Sequence, residues 1–223
     1  MIDLPSPNAD TRPAGIDMLI LHYTGMQTAQ AAIDRLRDPQ ARVSSHYVID
    51  EDGTIYRLVP ESLRAYHAGL SYWRGRRALN DVSIGIEIVN PGHEWGYRPF
   101  PAAQMRAVEA LCRDILARHP IPARNVVGHS DVAPDRKQDP GELFDWRGLA
   151  EAGIGLWPGM DGAPSISPED DLAAIGYERP IGDAALATSL RAFQRHWLPR
   201  GVSGAADPAT LLRLRSVRRA VET

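Results

Sequence analysis

Residues 128–141 read GHSDVAPDRKQDPG and hold three side chains that can do chemistry together: His129, Lys137 and Asp139. An imidazole and a carboxylate can each bind a metal or carry a proton, and a lysine supplies a compact positive charge. The stretch is too polar, and too punctuated by Pro134 and Pro140, to be the interior of a helix or strand. The short apolar piece Asn125-Val126-Val127-Gly128 before it reads as a strand end. His129 is therefore expected where a buried strand opens into a loop, a common position for residues that a rigid scaffold presents.

One histidine and one aspartate do not complete a catalytic zinc site, which takes three protein ligands and leaves one position open. The candidate third ligand is His22, at the exit of the apolar run Met18-Leu19-Ile20-Leu21. His22, His129 and Asp139 would form a His/His/carboxylate set for Zn2+. The alternative is a surface histidine and an ordinary Asp-Pro turn at Asp139-Pro140, and spacing alone does not decide between them.

Amide hydrolysis at such a site needs a base for the proton of the attacking water and a positive donor for the oxygen that gains charge. Glu87 is the candidate base. The segment Ser83–Val89, SIGIEIV, alternates so that Ile84, Ile86 and Ile88 share one face and Ser83, Gly85 and Glu87 the other. Gly85 leaves open space beside the carboxylate, as where another group approaches the backbone. The competing reading is a solvent-facing strand glutamate. Lys137, two residues from Asp139, is the candidate donor; the alternatives are a solvated lysine or a pair with Asp135.

These residues need elements to hold them. The chain has 223 residues, 43% hydrophobic and 24% charged, which suits one or two ordinary globular domains. A net charge of -3 gives no electrostatic case for nucleic acid or an anionic membrane; the one local basic cluster is Arg74, Arg76 and Arg77. The single cysteine, Cys112, cannot make an internal disulfide and falls on the apolar face of a predicted helix, as a small hydrophobe. No apolar run is long enough to span a bilayer, and the N-terminal MIDLPSPNADTRPAG lacks the pattern of a signal peptide, so a cytoplasmic location is expected, with the periplasm as alternative.

In chain order, a polar, Pro-rich lead-in precedes the strand at Met18–Leu21, and a helix is predicted over 28–37 with Thr28 as its cap. A hairpin follows, 45–49 with 54–59, turning at Gly53; residues 63–80 read as a long loop, of the kind that walls a binding site. Residues 101–119 form an amphipathic helix, and 145–152 a short closing one. The Gly/Pro/Ser-rich stretch 155–167 reads as a linker, and three helical patterns fill 168–223. The predicted architecture is a mixed α/β domain over 1–154, its β-sheet flanked by helices, with a small C-terminal three-helix domain.

Several of these motifs occur together, and in the same order, in one family. LILHYT around His22, VSSHYVIDEDGTIYRLVPE, AYHAG around His67, LNDVSIGIEIVN around Glu87 and VVGHSDVAPDRKQDPG around His129 resemble the zinc-dependent N-acetylmuramoyl-L-alanine amidases of the AmpD/AmiD type, over about residues 15–153. The resemblance implies zinc on His22, His129 and Asp139, a catalytic Glu87 and a catalytic Lys137. It puts Arg64, His67 and Asn80 in stretches that line the substrate groove of relatives, and it implies cleavage of the amide between N-acetylmuramic acid and L-alanine of a peptidoglycan stem peptide. The partners would be peptidoglycan or its soluble, 1,6-anhydro fragments. His46 lies in a matching motif and is read as structural. Tyr66 stands where relatives often have Trp. Residues 168–223, through LRAFQRHW and GAADPATLLRL, resemble a small peptidoglycan-binding helical domain; the alternative is a packing appendage. The rival to an enzyme is a peptidoglycan-recognition module without catalysis.

Overall fold

The computed structural model describes residues 1–223. Its centre is a six-stranded mixed sheet built from β1 (Ile2–Asp3), β3 (Met18–Tyr23), β4 (Tyr47–Ile49), β5 (Ile55–Arg57), β7 (Ser83–Ile88) and β8 (Val126–Gly128), with a separate pair made by β2 (Ala9–Thr11) and β6 (Leu63–Ala65). The order across the large sheet is β1-β5-β4-β7-β3-β8. β4, β7, β3 and β8 run parallel, and β5 returns antiparallel to β4 through the turn at Gly53, whose φ of 90° suits glycine. Met18 to Leu21 are fully buried because this strand lies between β7 and β8 with both faces covered.

The alternation in β7 sorts the two faces. Ile84, Ile86 and Ile88, with Leu19 and Leu21, pack on Val108, Leu111, Cys112 and Ile115 of α3 (Ala102–Arg118). The opposite face is shared by two covers. The helix α1 (Ala29–Arg37), capped by Thr28 as its sequence predicts, lays Ile33 and Leu36 on Val48. Farther along, Met18, Ile20 and Val127 join one continuous core with α6 (Pro168–Ile175), α7 (Asp183–Trp197) and α8 (Pro208–Glu222). The three C-terminal helices thus fill out the second face of the sheet. The short helix α5 (Trp146–Glu151) adds Trp146 and Leu149 to the core shared with α3, and the short helix α2 (Gly92–Trp95) sets Gly92 against Tyr23 at the end of β3.

Three local expectations are revised. The stretch beginning at His129 is not all loop: His129–Val132 make one helical turn, α4. The Asp131 side chain holds it by accepting from the backbone N–H of Gly128 at 2.8 Å. The lead-in and the long loop are not irregular throughout, since they pair as β2 and β6, pinned by Arg64 bonded to Asp10 and Asp81. The arginines 74, 76 and 77 form no free basic patch: Arg74 donates to the carbonyls of Ala174 and Ile175, Arg76 pairs with Asp17, and Arg77 with Glu178.

Two carboxylates, Asp131 buried and Glu61 half-buried, carry testable weight. Asp131 is 1% exposed and accepts from Gly128, from His196 Nδ1 at 2.7 Å and from the Tyr177 hydroxyl, so it joins the turn at His129 to the C-terminal helices. Asp131→Ala leaves those donors unpaired in a dry interior and is expected to cost about 3 kcal/mol or more, read as a shifted denaturation midpoint; a shift below 1 kcal/mol contradicts this. Glu61 accepts from Tyr47, Arg118 and His119 at 2.7 Å each. Burial pushes its carboxyl up, but these bonds outweigh it and hold it at about 2, below its ordinary 4.5. The stabilisation is therefore full above about pH 4.5 and is lost as pH falls toward 2. Glu61→Gln is expected to be less stable at neutral pH and to flatten the acid limb of stability over that window; an unchanged acid limb contradicts it.

Candidate active site

The parallel strands end on one rim, and the rim carries the chemistry. His22 on β3 and Glu87 on β7 are direct register partners, so both point to the face that α1 and the C-terminal helices share. β8 ends at Gly128, and His129 follows in α4. The chain then turns back on itself: the N–H groups of Arg136 and Lys137 donate to Ala133 O, and Ser130 N–H donates to Asp139 O at 2.8 Å. That closure puts the Asp139 carboxylate beside His129. A cavity of about 460 Å³ opens there, walled by α1, the segment Tyr23–Met26, His67, Glu87, His93 and the loop Arg136–Asp139. A crevice at the carboxyl ends of parallel strands is where such sheets place ligands.

His22, His129 and Asp139 converge, each at least 95% buried. Their facing atoms form a small triangle: Nδ1 to Nδ1 at 2.9 Å, and Asp139 Oδ2 at 3.2 Å from His22 Nδ1 and 3.0 Å from His129 Nδ1. Hydrogen bonds behind the rings fix which nitrogens carry protons. His129 Nε2 donates to Ala68 O at 3.1 Å, because a carbonyl only accepts. Ser83 Oγ gives its hydrogen to Leu79 O at 2.7 Å and so accepts from His67 Nε2 at 3.2 Å. That leaves His67 Nδ1 bare to accept from His22 Nε2 at 3.0 Å. Both facing Nδ1 atoms are then lone pairs beside a carboxylate oxygen.

Three acceptors aimed at one point repel unless a cation lies among them. The group can hold a metal ion, and its edges of 2.9–3.2 Å are close to the separation of about 3.3 Å expected between ligands of a tetrahedral ion with bonds near 2.0–2.1 Å. Burial and the neighbouring His129 hold the His22 imidazole down to about 4, against the pull of Asp139, which keeps it neutral and able to ligate. Burial pushes the Asp139 carboxyl up, but His129 and His22 outweigh it and hold it far below the usual range, as a carboxylate.

Glu87 is half-buried, and its enclosed Oε2 has no hydrogen-bond partner. Burial pushes this carboxyl well above its ordinary value, Asp139 pushes it further and Lys137 pulls it back. Lys137 also lines the cavity and is in no ion pair, with Asp135 or with any other carboxylate.

Of the other residues named from the sequence, His67 walls the cavity, and Arg64, Asn80 and His46 fall outside it. His67 is 8% exposed and stands behind His22. The open space left by Gly85 is taken by this ring, since a Cβ at Gly85 would lie 2.4 Å from His67 Cγ. Arg64 does not line the cavity and is held by Asp10 and Asp81. Asn80 does not line it either; its Oδ1 accepts from the N–H groups of His67 and Ala68 at 3.1 and 2.8 Å and so shapes the loop behind the ligands. His46 is buried, with Nδ1 accepting from Gly85 N–H at 3.0 Å. Ser83 lies on the strand face its alternation predicts, and its part in the relay from Leu79 to His67 is not visible in the sequence. Sequence reasoning also missed the rim group Tyr23, His93 and Tyr97, in which Tyr23 OH and His93 Nδ1 lie 2.9 Å apart and His93 stacks on Tyr97 at 4.3 Å.

Comparison with known proteins agrees with this geometry. The profile of the family described as N-acetylmuramoyl-L-alanine amidase, Amidase_2, matches residues 10–142. The N-acetylmuramoyl-L-alanine amidase AmiD of Escherichia coli K12 is 39% identical over 222 residues, covering 87% of this chain and 79% of AmiD. The 1,6-anhydro-N-acetylmuramyl-L-alanine amidase AmpD of the same organism is 38% identical over 162 residues, 64% of this chain and 86% of AmpD. In structure, AmiD in complex with the substrate anhydro-N-acetylmuramic acid-L-Ala-D-gamma-Glu-L-Lys superposes with a TM-score of 0.83 at 35% identity, over 95% of this chain and 92% of that one. AmpDh3 from Pseudomonas aeruginosa gives 0.86 at 35% identity, over 96% of each chain. The family match runs through His22, Glu87, Lys137, His129 and Asp139 alike, and with that span and that shared fold this chain belongs to the N-acetylmuramoyl-L-alanine amidase family, Amidase_2.

Proposed function

We propose that the chain is a zinc-dependent amidase that hydrolyses the bond between the lactyl carboxyl of N-acetylmuramic acid, including its 1,6-anhydro form, and L-alanine of the stem peptide, in cell-wall turnover. The observation that carries the metal is the triangle of three inward-facing acceptors on His22, His129 and Asp139. The substrate class follows from the family and from AmiD, whose structure is described with a muropeptide substrate. Zinc fits a His/His/carboxylate set; when bound it acidifies a water and polarises a carbonyl as a Lewis acid.

The protein's own side chains do the rest. Glu87, which lines the cavity and whose enclosed Oε2 has no partner, takes the proton of the attacking water and returns it to the alanine nitrogen as that amine leaves. Lys137, a cation without a carboxylate partner, meets the carbonyl oxygen as it gains negative charge. Val43, Leu36 and Ala32 give the cavity an apolar flank for the sugar and its acetyl group. The C-terminal helices are assigned to a peptidoglycan-binding-like unit; support comes from AmiD and AmpDh3, whose alignments extend over nearly the whole chain, whereas AmpD matches 64% of it.

Three experiments test this reading. Purified protein is expected to carry about one zinc per chain and to release anhydro-N-acetylmuramic acid from the muropeptide named above; bound zinc with intact substrate would favour a recognition module instead. Glu87→Ala is expected to keep the zinc and lose roughly a hundredfold to ten-thousandfold in kcat, and full activity in that variant would falsify the assignment of the base. His67→Phe keeps the space beside Gly85 filled but removes the acceptor that orients His22. It is expected to weaken zinc binding by roughly tenfold to a hundredfold in a chelator competition, with unchanged affinity showing that the chain through Ser83 does not set the ligand.

A further inference from the structure

A second cavity, of about 600 Å³, opens between α5 and the C-terminal helices and shares no lining residue with the active-site cavity. Its wall comes from the start of α5, the segment at Trp157, the end of α7 at Trp197 and the first two turns of α8. Aromatic side chains dominate that wall, and a few polar groups converge on it, as in sites that take small ligands.

Arg213 of α8 sets this cavity apart. The residue is 6% exposed, its guanidinium lies over the Trp157 ring at 4.9 Å, and one terminal nitrogen donates to Pro158 O. Its enclosed Nε has no hydrogen-bond partner. The other three arginines of α8 are paired inside the protein, Arg215 and Arg218 with Asp171 and Arg219 with Asp161. Arg213 has no such partner. Burial pulls its pKa down, and no carboxylate is near enough to raise it. The two carboxylates that line the cavity are occupied as helix caps: Asp145 accepts from Gly148 N–H and Asp207 from Thr210 N–H, each at 2.8–2.9 Å. An enclosed cation with no anion is costly, and a ring face with one carbonyl offsets only part of that cost. Arg200, exposed at the same cavity, adds a second positive charge.

We propose that this cavity binds a carboxylate carried on a sugar ring, with the anion on the Arg213 guanidinium and the ring among the aromatic walls, and that the sugar is N-acetylmuramic acid already freed of its peptide. The identity of the sugar rests on the amidase reading above. In that reaction water adds to the lactyl carbonyl and the C–N bond breaks. Both water protons end on the alanine nitrogen, which leaves as an ammonium, and the lactyl carbon keeps a carboxylate. Before cleavage that carbon is a neutral amide; afterwards the sugar bears an anion. A guanidinium, whose fork matches a carboxylate, distinguishes the two states. The C-terminal helices thereby select glycan from which peptide has been removed and hold the protein beside its own product.

The test uses the whole protein and follows the indole N–H signals of Trp157 and Trp197 by NMR. The titrants are N-acetylmuramic acid, its methyl ester, N-acetylglucosamine and the tripeptide L-Ala-γ-D-Glu-L-Lys. N-acetylmuramic acid is expected to move both signals with an affinity roughly tenfold or more above that of the uncharged ester or of N-acetylglucosamine, which lacks the lactyl group. Arg213→Gln is expected to abolish that preference. Ala209→Glu, at an exposed position in the first turn of α8 where an acidic side chain suits the helix, brings a carboxylate to the cavity. It is expected to weaken binding of the acid, and not of the ester, by roughly threefold or more, and it decides the matter if Arg213→Gln does not fold. Equal affinity for acid and ester, equal affinity for the tripeptide, or an acid preference that survives Ala209→Glu overturns the site and leaves Arg213 as a brace between Pro158 and α8. No cleavage of a muropeptide by the wild-type protein, with the acid preference intact, overturns the amidase reading and leaves a sugar-carboxylate site standing.

Discussion

Two neutral imidazoles that both turn a bare nitrogen inward repel at 2.9 Å in a buried site unless something positive sits between them. The fold creates that situation from behind. The carbonyl of Ala68 holds the proton of His129 on its outer nitrogen, and the relay Leu79, Ser83, His67 does the same for His22 through three further hydrogen bonds. Each outward-facing bond strips the inward-facing nitrogen of its hydrogen. Asp139 adds a carboxylate to the same point. The result is a concentrated site of negative potential whose polarity is set by groups that never touch a ligand.

Everything larger in the structure serves to hold these groups in register. The parallel pairing of β3 with β7 brings His22 level with Glu87, and the pairing with β8 delivers His129 one residue past Gly128. The antiparallel pair of β2 and β6 and the Asn80 side chain then fix the loop that carries His67 and Ala68. On the far side, Asp131 ties α4 to Tyr177 and to His196 of α7, so the turn bearing His129 is braced by the C-terminal helices. Stacking of His196 between Trp146 and Trp197, with centroids 3.8 and 4.1 Å apart, stiffens that brace.

What could be read from residues alone was whatever periodicity reports. The alternation in Ser83–Ile88, the continuous apolar run of Met18–Leu21 and the amphipathic stretch of α3 gave the sheet, its two faces and the strand exits at which His22 and His129 stand. The β2–β6 ribbon was invisible because an arginine between two aspartates, not an apolar pattern, holds it. The single turn of α4 was hidden because its stability comes from a side chain reaching back to Gly128. Resemblance puts Arg64 and Asn80 in stretches that line the groove of relatives; here their side chains are held by Asp10, Asp81 and backbone N–H groups. The link from His67 to His22 spans 45 positions and passes over a glycine, and no local pattern reports such a contact.

The Ala68 carbonyl serves two masters. His129 donates to it at 3.1 Å, and so does the Arg136 guanidinium at 3.2 Å. One oxygen atom therefore orients a ligand imidazole and anchors a cationic arm at the mouth of the site. Any displacement of that peptide plane tilts the ring and leaves the arm hanging on its remaining bonds to Leu70 O, so the grip on an ion and the placement of a charge at the mouth of the site are mechanically linked.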